Sequence, residues 1–195
     1  MAACANKIAA LVEKAKANDK DSQEQLVDIF YQDIFRMVYY RINSRMDAED
    51  LTQEIFMQMF KSLPGLKEPA RFRSWLFMIA LNRVRDFYRK KSVMAFFDKT
   101  KQPEDADLPD TEDSDNPVSY VMRKEFWKQF HAFTDTLPKG EREVFTLRFV
   151  DHLGIREIAE TLKKNDSTVK THLYRALKKF RQTPELHSLL EGEAL

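Results

Sequence analysis

The stretch from Ile155 to Arg181 carries the clearest chemical signal. Lys170, Thr171, Tyr174, Arg175 and Lys178 recur on one side of a helical wheel, opposite Val169, Leu173, Leu177 and Phe180. Ile155, Ile158, Ala159 and Leu162 predict a shorter helix just before it. Lys163-Lys164-Asn165 makes the turn between them, and Asn165 or Asp166 supplies the cap of the second helix. Small Ala159 lets the two helices cross closely, and Val169 fills the angle. This is the layout of a helix-turn-helix, whose second helix enters the major groove of duplex DNA. Lysine and arginine meet phosphates or guanine edges, and the threonine and tyrosine hydroxyls can do either. The same pattern also fits a plain helical hairpin with a solvated basic face.

A second constellation lies between Phe72 and Lys91. Asn82, Arg85 and Arg89 stand at i, i+3 and i+7, one stripe of a helix, interleaved with Phe72, Trp75, Phe77, Phe87 and Tyr88. A cationic stripe beside aromatic rings suits unstacked bases, which stack on any ring while charges hold the backbone. Most of those rings are equally needed for a core, and the place of Trp75 in the apolar row favours packing. A third group, Asp50, Gln53 and Glu54, shares the polar side of a helix predicted over 48–61. Asp50 and Glu54 repel mildly at i, i+4. The face is either solvated or a dock for a basic partner. Asp47, Glu49, Asp50 and Glu54 make a poor metal set, since no histidine lies near and acids at a helix start are explained by capping. His131, His152, His172 and His187 are scattered, no H-E-x-x-H occurs, and no serine sits in a nucleophile elbow. No catalytic residue, metal or cofactor is therefore expected.

The elements that must hold these groups are helical. The 195 residues allow one domain or two small ones, and 43% hydrophobic content is enough for folded cores. Four glycines argue against phosphate loops and turn-dense β architectures. The single cysteine, Cys4, excludes an intramolecular disulfide. The longest apolar run, Trp75 to Leu81, is far short of the roughly 20 residues of a membrane span. No apolar leader is visible at the N-terminus, so no membrane insertion and a cytoplasmic location are expected.

Net charge is +1, but it is segregated. Residues 67–91 and 163–181 each carry a net +6, and residues 93–117 between them carry a net −6. Two basic blocks separated by an acidic, proline-bearing stretch point to two surfaces for a polyanion joined by a flexible tether. Leu26, Ile29, Phe30, Ile34, Met37 and Val38 recur at helical spacing, as do Leu51, Ile55, Phe56, Met59 and Phe60. Asp47 is the expected N-cap of the latter helix, with Met46 and Leu51 as a hydrophobic staple. Ser62-Leu63-Pro64-Gly65 stops it. Pro117 opens a further helix to Leu137, and a short one is predicted over 141–150. The expected plan is all-α: domains at 1–92 and 118–185, a flexible acidic linker at 93–117 and a tail at 186–195.

Taken in order, these motifs resemble the sigma-70 family of bacterial RNA polymerase initiation factors, over about residues 22–182. The size and two-domain plan resemble its extracytoplasmic-function (ECF) subfamily. The segment 47–56, DAEDLTQEIF, is similar to the helix that meets core polymerase. The segment 72–90, FRSWLFMIALNRVRDFYRK, is similar to the −10 melting and recognition helix. Leu137-Pro138, Glu141–Phe145 and the helix-turn-helix resemble the −35 binding domain.

The resemblance implies that Asp50, Gln53 and Glu54 contact the clamp helices of the largest polymerase subunit. It places −10 contacts at Asn82 and in the 62–73 loop that would hold a flipped base, so that Arg73, Asn82, Arg85 and Arg89 form the −10 set. It places −35 contacts at Lys170, Thr171, Tyr174, Arg175 and Lys178. Core RNA polymerase, promoter DNA and an anti-sigma factor are the implied partners, and no catalytic activity is implied. Lys163 and Lys164 depart from the family pattern of a glycine and then an apolar residue, which would add phosphate contacts. A helix-turn-helix regulator with an N-terminal sensing or dimerisation domain is the alternative reading. A metal nuclease built on the acid cluster is the more distant one.

Overall fold

A computed structural model describes residues 2–97 and 117–183, with side chains placed for 6–92 and 127–183. The expected acidic tether falls mostly on 98–116, and the expected tail on 186–195, outside the described residues. The chain divides into two compact units, Met1–Asp107 and Leu108–Leu195. All the described secondary structure is helical.

The first unit opens with α1 (Ala2–Lys16), a helix the sequence reading did not anticipate. Leu11, Val12 and Ala15 are its buried side, laid against α2 (Lys20–Ile42). Asp19 caps α2, accepting from the Ser22 N–H at 3.0 Å, and that hydrogen bonding holds its carboxyl below the usual carboxylate range. Leu26, Phe30, Ile34, Met37 and Val38 turn inward, but Ile29, counted in the same periodic set, faces out. Asn43 ends α2 in the left-handed conformation, which asparagine tolerates better than most residues, with its N–H on the Tyr39 carbonyl at 2.8 Å.

The next helix, α3 (Arg45–Ser62), starts earlier than expected. Its cap is Ser44, extended at φ −137° and accepting from the Asp47 N–H, so Asp47 lies in the first turn. Asp47 still faces the positive end of the dipole. Shifting the cap also removes the expected staple: Met46 is 71% exposed. Leu51, Ile55, Phe56 and Met59 are buried as predicted.

Two 3₁₀ turns, Leu63–Gly65 and Pro69–Arg71, carry the chain to α4 (Phe72–Phe97). Leu63 and Leu66 plug the intervening loop into the core, and Lys16 donates to the Leu66 carbonyl at 3.1 Å. α4 packs on α2 and α3 through Phe72, Leu76, Phe77, Ala80 and Val84. The Phe72 ring is fully buried, 5.3 Å from Phe30 and 5.9 Å from Trp75. Each such aromatic pair adds about 0.5–1.5 kcal/mol beyond area burial.

The second unit consists of α5 (Pro117–Thr136), α6 (Lys139–Phe149), α7 (Ile155–Leu162) and α8 (Asp166–Phe180). Phe145 is its hub, with Phe130, Phe133, Phe149 and Phe180 centred 4.6–5.8 Å away. Two contacts fix α8 to α6. Gly140 lies so close to the His172 ring that a Cβ there would stand 3.0 Å from Cε1, and any larger residue would push the ring back by a few tenths of an ångström. Glu141, 6% exposed, accepts from Lys179 at 2.9 Å.

The helix-turn-helix itself is α7 and α8. Glu157 accepts from the Gly154 N–H at 2.7 Å where α7 begins. Asn165 caps α8, accepting from the Thr168 N–H at 2.8 Å. Between them Lys163 is left-handed at φ 53° and ψ 45°, a conformation that costs a residue with a Cβ about 1–2 kcal/mol.

Candidate nucleic-acid interface

Each expected site residue can be followed to its place. On α8, Lys170, Thr171, Tyr174, Arg175 and Lys178 are all exposed, on the side away from buried Val169 and Ala176. Leu173, Leu177 and Phe180 are half-buried; Ala176 and His172, which the periodicity did not single out, complete the inner side. Tyr174 is 68% exposed, too much for a packing residue. Lys170, Arg175 and Lys178 have no carboxylate partner among the described residues. Only Lys179, on the flank, is neutralised, and its partner Glu141 ties the helix down. α8 is thus a fixed rod with an open cationic side.

The stripe on α4 is of a different kind. Asn82, Arg85 and Arg89 are exposed and adjacent, as predicted. Of their two charges, that of Arg89 is answered within the unit by Asp86 at 2.9 Å, while Arg85 donates to the neutral Asn82 side-chain oxygen at 3.4 Å. Arg83 reaches Gln58 at 3.0 Å and Glu54 at 3.9 Å. Arg73 is not part of this stripe. It precedes Asn82 by two and a half helical turns and so lies on the opposite side of α4. Its guanidinium sits over the Phe77 ring at 5.3 Å and approaches Asp33 at 3.7 Å. Trp75 is half-buried against Phe72, and Tyr88, 47% exposed, donates from its hydroxyl to the Arg41 carbonyl. Burial raises the Tyr88 hydroxyl above its ordinary pKa, with Arg41 opposing, so it stays protonated and able to donate.

On α3, Asp50, Gln53 and Glu54 are exposed side by side. Sequence reasoning missed what flanks them. Met46 and Met57, each 71% exposed, lie on the same face at i−4 from Asp50 and i+3 from Glu54. The signal was available: with the cap at Ser44 rather than Asp47, Met46 falls outside the core. Among the described residues no group of three histidine, cysteine or acidic side chains is gathered as a metal would need, and Glu49 is taken by Arg45 at 3.0 Å. No described helix is long and apolar enough to cross a membrane.

Fold and faces together define a class: an all-helical protein of two units, one of them a helix-turn-helix with an open basic face. The family model for sigma-70 region 2 matches residues 26–93, and that for sigma-70 region 4 matches residues 127–180. ECF RNA polymerase sigma factor SigX of Bacillus subtilis is 27% identical over 168 residues, covering 86% of each chain. ECF RNA polymerase sigma factor BldN of Streptomyces coelicolor is 30% identical over 172 residues, covering 86% of this chain and 62% of the relative. The fold matches CnrH, solved in complex with the cytosolic domain of CnrY, at a TM-score of 0.65 and 22% identity, over 95% of this chain and 97% of that one. The chain belongs to the sigma-70 family, and within it to the ECF type.

Proposed function

We propose that this chain is a transcription initiation factor, without enzymatic activity of its own, that binds core RNA polymerase in the cytoplasm. It directs the polymerase to specific promoters and assists their melting. The observation that carries the division of labour is the contrast between the two basic faces. The cations of α8 are open to solvent, so they can release counterions from duplex phosphates and present bidentate donors in a major groove. We assign −35 contacts to Lys170, Thr171, Tyr174, Arg175 and Lys178.

The stripe on α4 is partly self-neutralised and holds an amide that exchanges one weak internal hydrogen bond, at 3.4 Å, for a base edge. Such a face gains little from intact duplex and more from an unstacked strand. We assign −10 strand contacts to Asn82, Arg85 and Arg89, with Arg73 as a support of the loop rather than a base contact. The acidic face of α3 docks core polymerase through Asp50, Gln53 and Glu54, with Met46 and Met57 as apolar flanks. CnrH and the Bartonella quintana sigma factor RpoE were each solved with a bound partner, the latter an anti-sigma factor. We propose that this chain has an anti-sigma partner as well.

The test is a forked promoter fragment with a single-stranded −10 segment, titrated with core polymerase, with the chain, and with both. Tight, sequence-selective binding is expected only with both. Equal selective binding of intact duplex by the chain alone would support a stand-alone regulator instead.

A further inference from the structure

Two cations at the turn between α7 and α8 have no internal partner. Lys163 is exposed and Lys164 half-buried, and neither ammonium has a hydrogen bond or ion pair with a described residue. Of the acids close in sequence, Glu160 lies 3.5 Å from Arg156, Glu157 holds the Gly154 N–H, and Asp166 opens the first turn of α8 without an ion pair to either lysine. The closure of α7 does not need these side chains either. It is made by backbone, with the Lys163 N–H on the Glu160 carbonyl at 3.2 Å and the Lys164 N–H on the Ala159 carbonyl at 2.9 Å. The backbone in fact disfavours lysine at 163, because the left-handed conformation suits glycine or asparagine, as Asn18 and Asn43 show in this chain. A turn held by its backbone thus carries two positive charges without an internal partner directly before the Asn165 cap of α8, the helix whose exposed side holds Lys170, Arg175 and Lys178.

We propose that Lys163 and Lys164 form a phosphate clamp, each ammonium taking a DNA backbone phosphate at the edge of the groove that α8 enters. The inference rests on the reading of α8 as the duplex-contacting helix. A phosphate contact fixes register and adds affinity without reading sequence. Its signature is therefore a change in salt dependence that is the same on any duplex.

The experiment is fluorescence anisotropy of a labelled mixed-sequence duplex titrated with the full chain between about 50 and about 200 mM salt. Each phosphate contact contributes about 0.9 to the slope of log affinity on log salt. The double variant Lys163→Asn, Lys164→Gln should lose about 1.8 of slope, so that over this range wild type weakens about twelve-fold more than the variant. Lys163→Arg should keep the full slope. Asparagine accepts the left-handed conformation, so the double variant should melt no lower than wild type. Lys163→Gly, which relaxes the turn, should melt higher and still lose about 0.9 of slope. An unchanged slope in folded Lys163→Gly and in the double variant overturns the clamp, and if Arg175→Ala weakens binding in the same assay the reading of α8 survives. If wild type shows no salt-dependent duplex binding, that reading falls and the clamp with it.

Discussion

Reversing one charge on α3 separates docking from stability. Asp50 has no ion-pair partner among the described residues, whereas Glu54 approaches Arg83 at 3.9 Å. Asp50→Lys is thus the cleaner perturbation. In the free protein it replaces an i, i+4 acid–acid repulsion with Glu54 by an attraction, and adds a second attraction to Asp47 at i−3, each worth about 0.2–0.5 kcal/mol. Against this stands a small loss of helix-dipole energy, since Asp50 lies beyond the first turn. The net change is a stabilisation of up to about 1 kcal/mol, at most about 4–8 °C in the melting temperature of a unit this size, so the variant should melt no lower than wild type.

In the complex the sign reverses. A basic group of the polymerase about 4 Å from this carboxylate gains about 4 kcal/mol at an effective dielectric near 20, before side-chain ordering and desolvation. Taking half of that as the net loss, affinity for core polymerase falls about thirty-fold. Asp50→Asn, which only removes the attraction, should fall by less. The assay is anisotropy of fluorophore-labelled chain titrated with core polymerase, beside a thermal melt of each variant. The gap between wild type and Asp50→Lys should narrow as salt shortens the screening length. A folded Asp50→Lys variant that binds core within about two-fold of wild type would refute the reasoning, because no charge complementarity of this kind would then be present.

The two DNA faces should fail differently. Arg175→Ala should cost about 1–3 kcal/mol and relax selectivity at one −35 position, on a normal promoter and on a pre-melted bubble alike. Asn82→Ala should leave the melting temperature unchanged and impair opening, with partial rescue by the bubble; normal opening and normal −10 preference would remove α4 from strand recognition. Trp75→Ala should lower stability by about 2–3 kcal/mol, less than the 3–5 kcal/mol expected of fully buried Phe72→Ala, measured by denaturant unfolding. An unchanged midpoint with defective opening would make Trp75 a stacking residue instead. Glu141→Ala should cost about 1–2 kcal/mol in the second unit, between the values for exposed and buried pairs, because Lys179 is 44% exposed and Glu141 8%. Burial lowers the His131 pKa below its ordinary 6.5, with Asp135 opposing more weakly. The folded unit then binds fewer protons than the unfolded one, and the stability this contributes is full above that value and lost below it. The melting temperature of the second unit should fall between about pH 7 and about pH 6, and His131→Gln should flatten that fall.

The helix-turn-helix was legible because every local signal agreed there: periodicity, turn chemistry and the Asn165 cap. The start of α3 was not, because Ser44 and Asp47 are both good capping residues and the acids after Asp47 suit either choice. The backbone at Ser44 decided it, and with it the exposure of Met46. The helix α1 is harder to read, because only Ile8, Leu11, Val12 and Ala15 carry its period and its burial comes from packing on α2. Pairings between distant segments were beyond any local pattern. Arg73 meets Asp33 across 40 residues, and Arg83 meets Glu54 across 29, so which arginines stay open depends on how α2 and α3 lie against α4. The resemblance supplied the candidate positions, whereas the division between answered and open charges came only with the fold.

Run-off transcription tests the central claim most directly. Core polymerase is supplied with genomic promoter fragments, with and without this chain, and the transcripts are mapped. Discrete start sites that appear only when the chain is present, and that are lost with Asp50→Lys, are the predicted result. Transcripts that are the same with and without it, or that require a different initiation factor, would contradict the account.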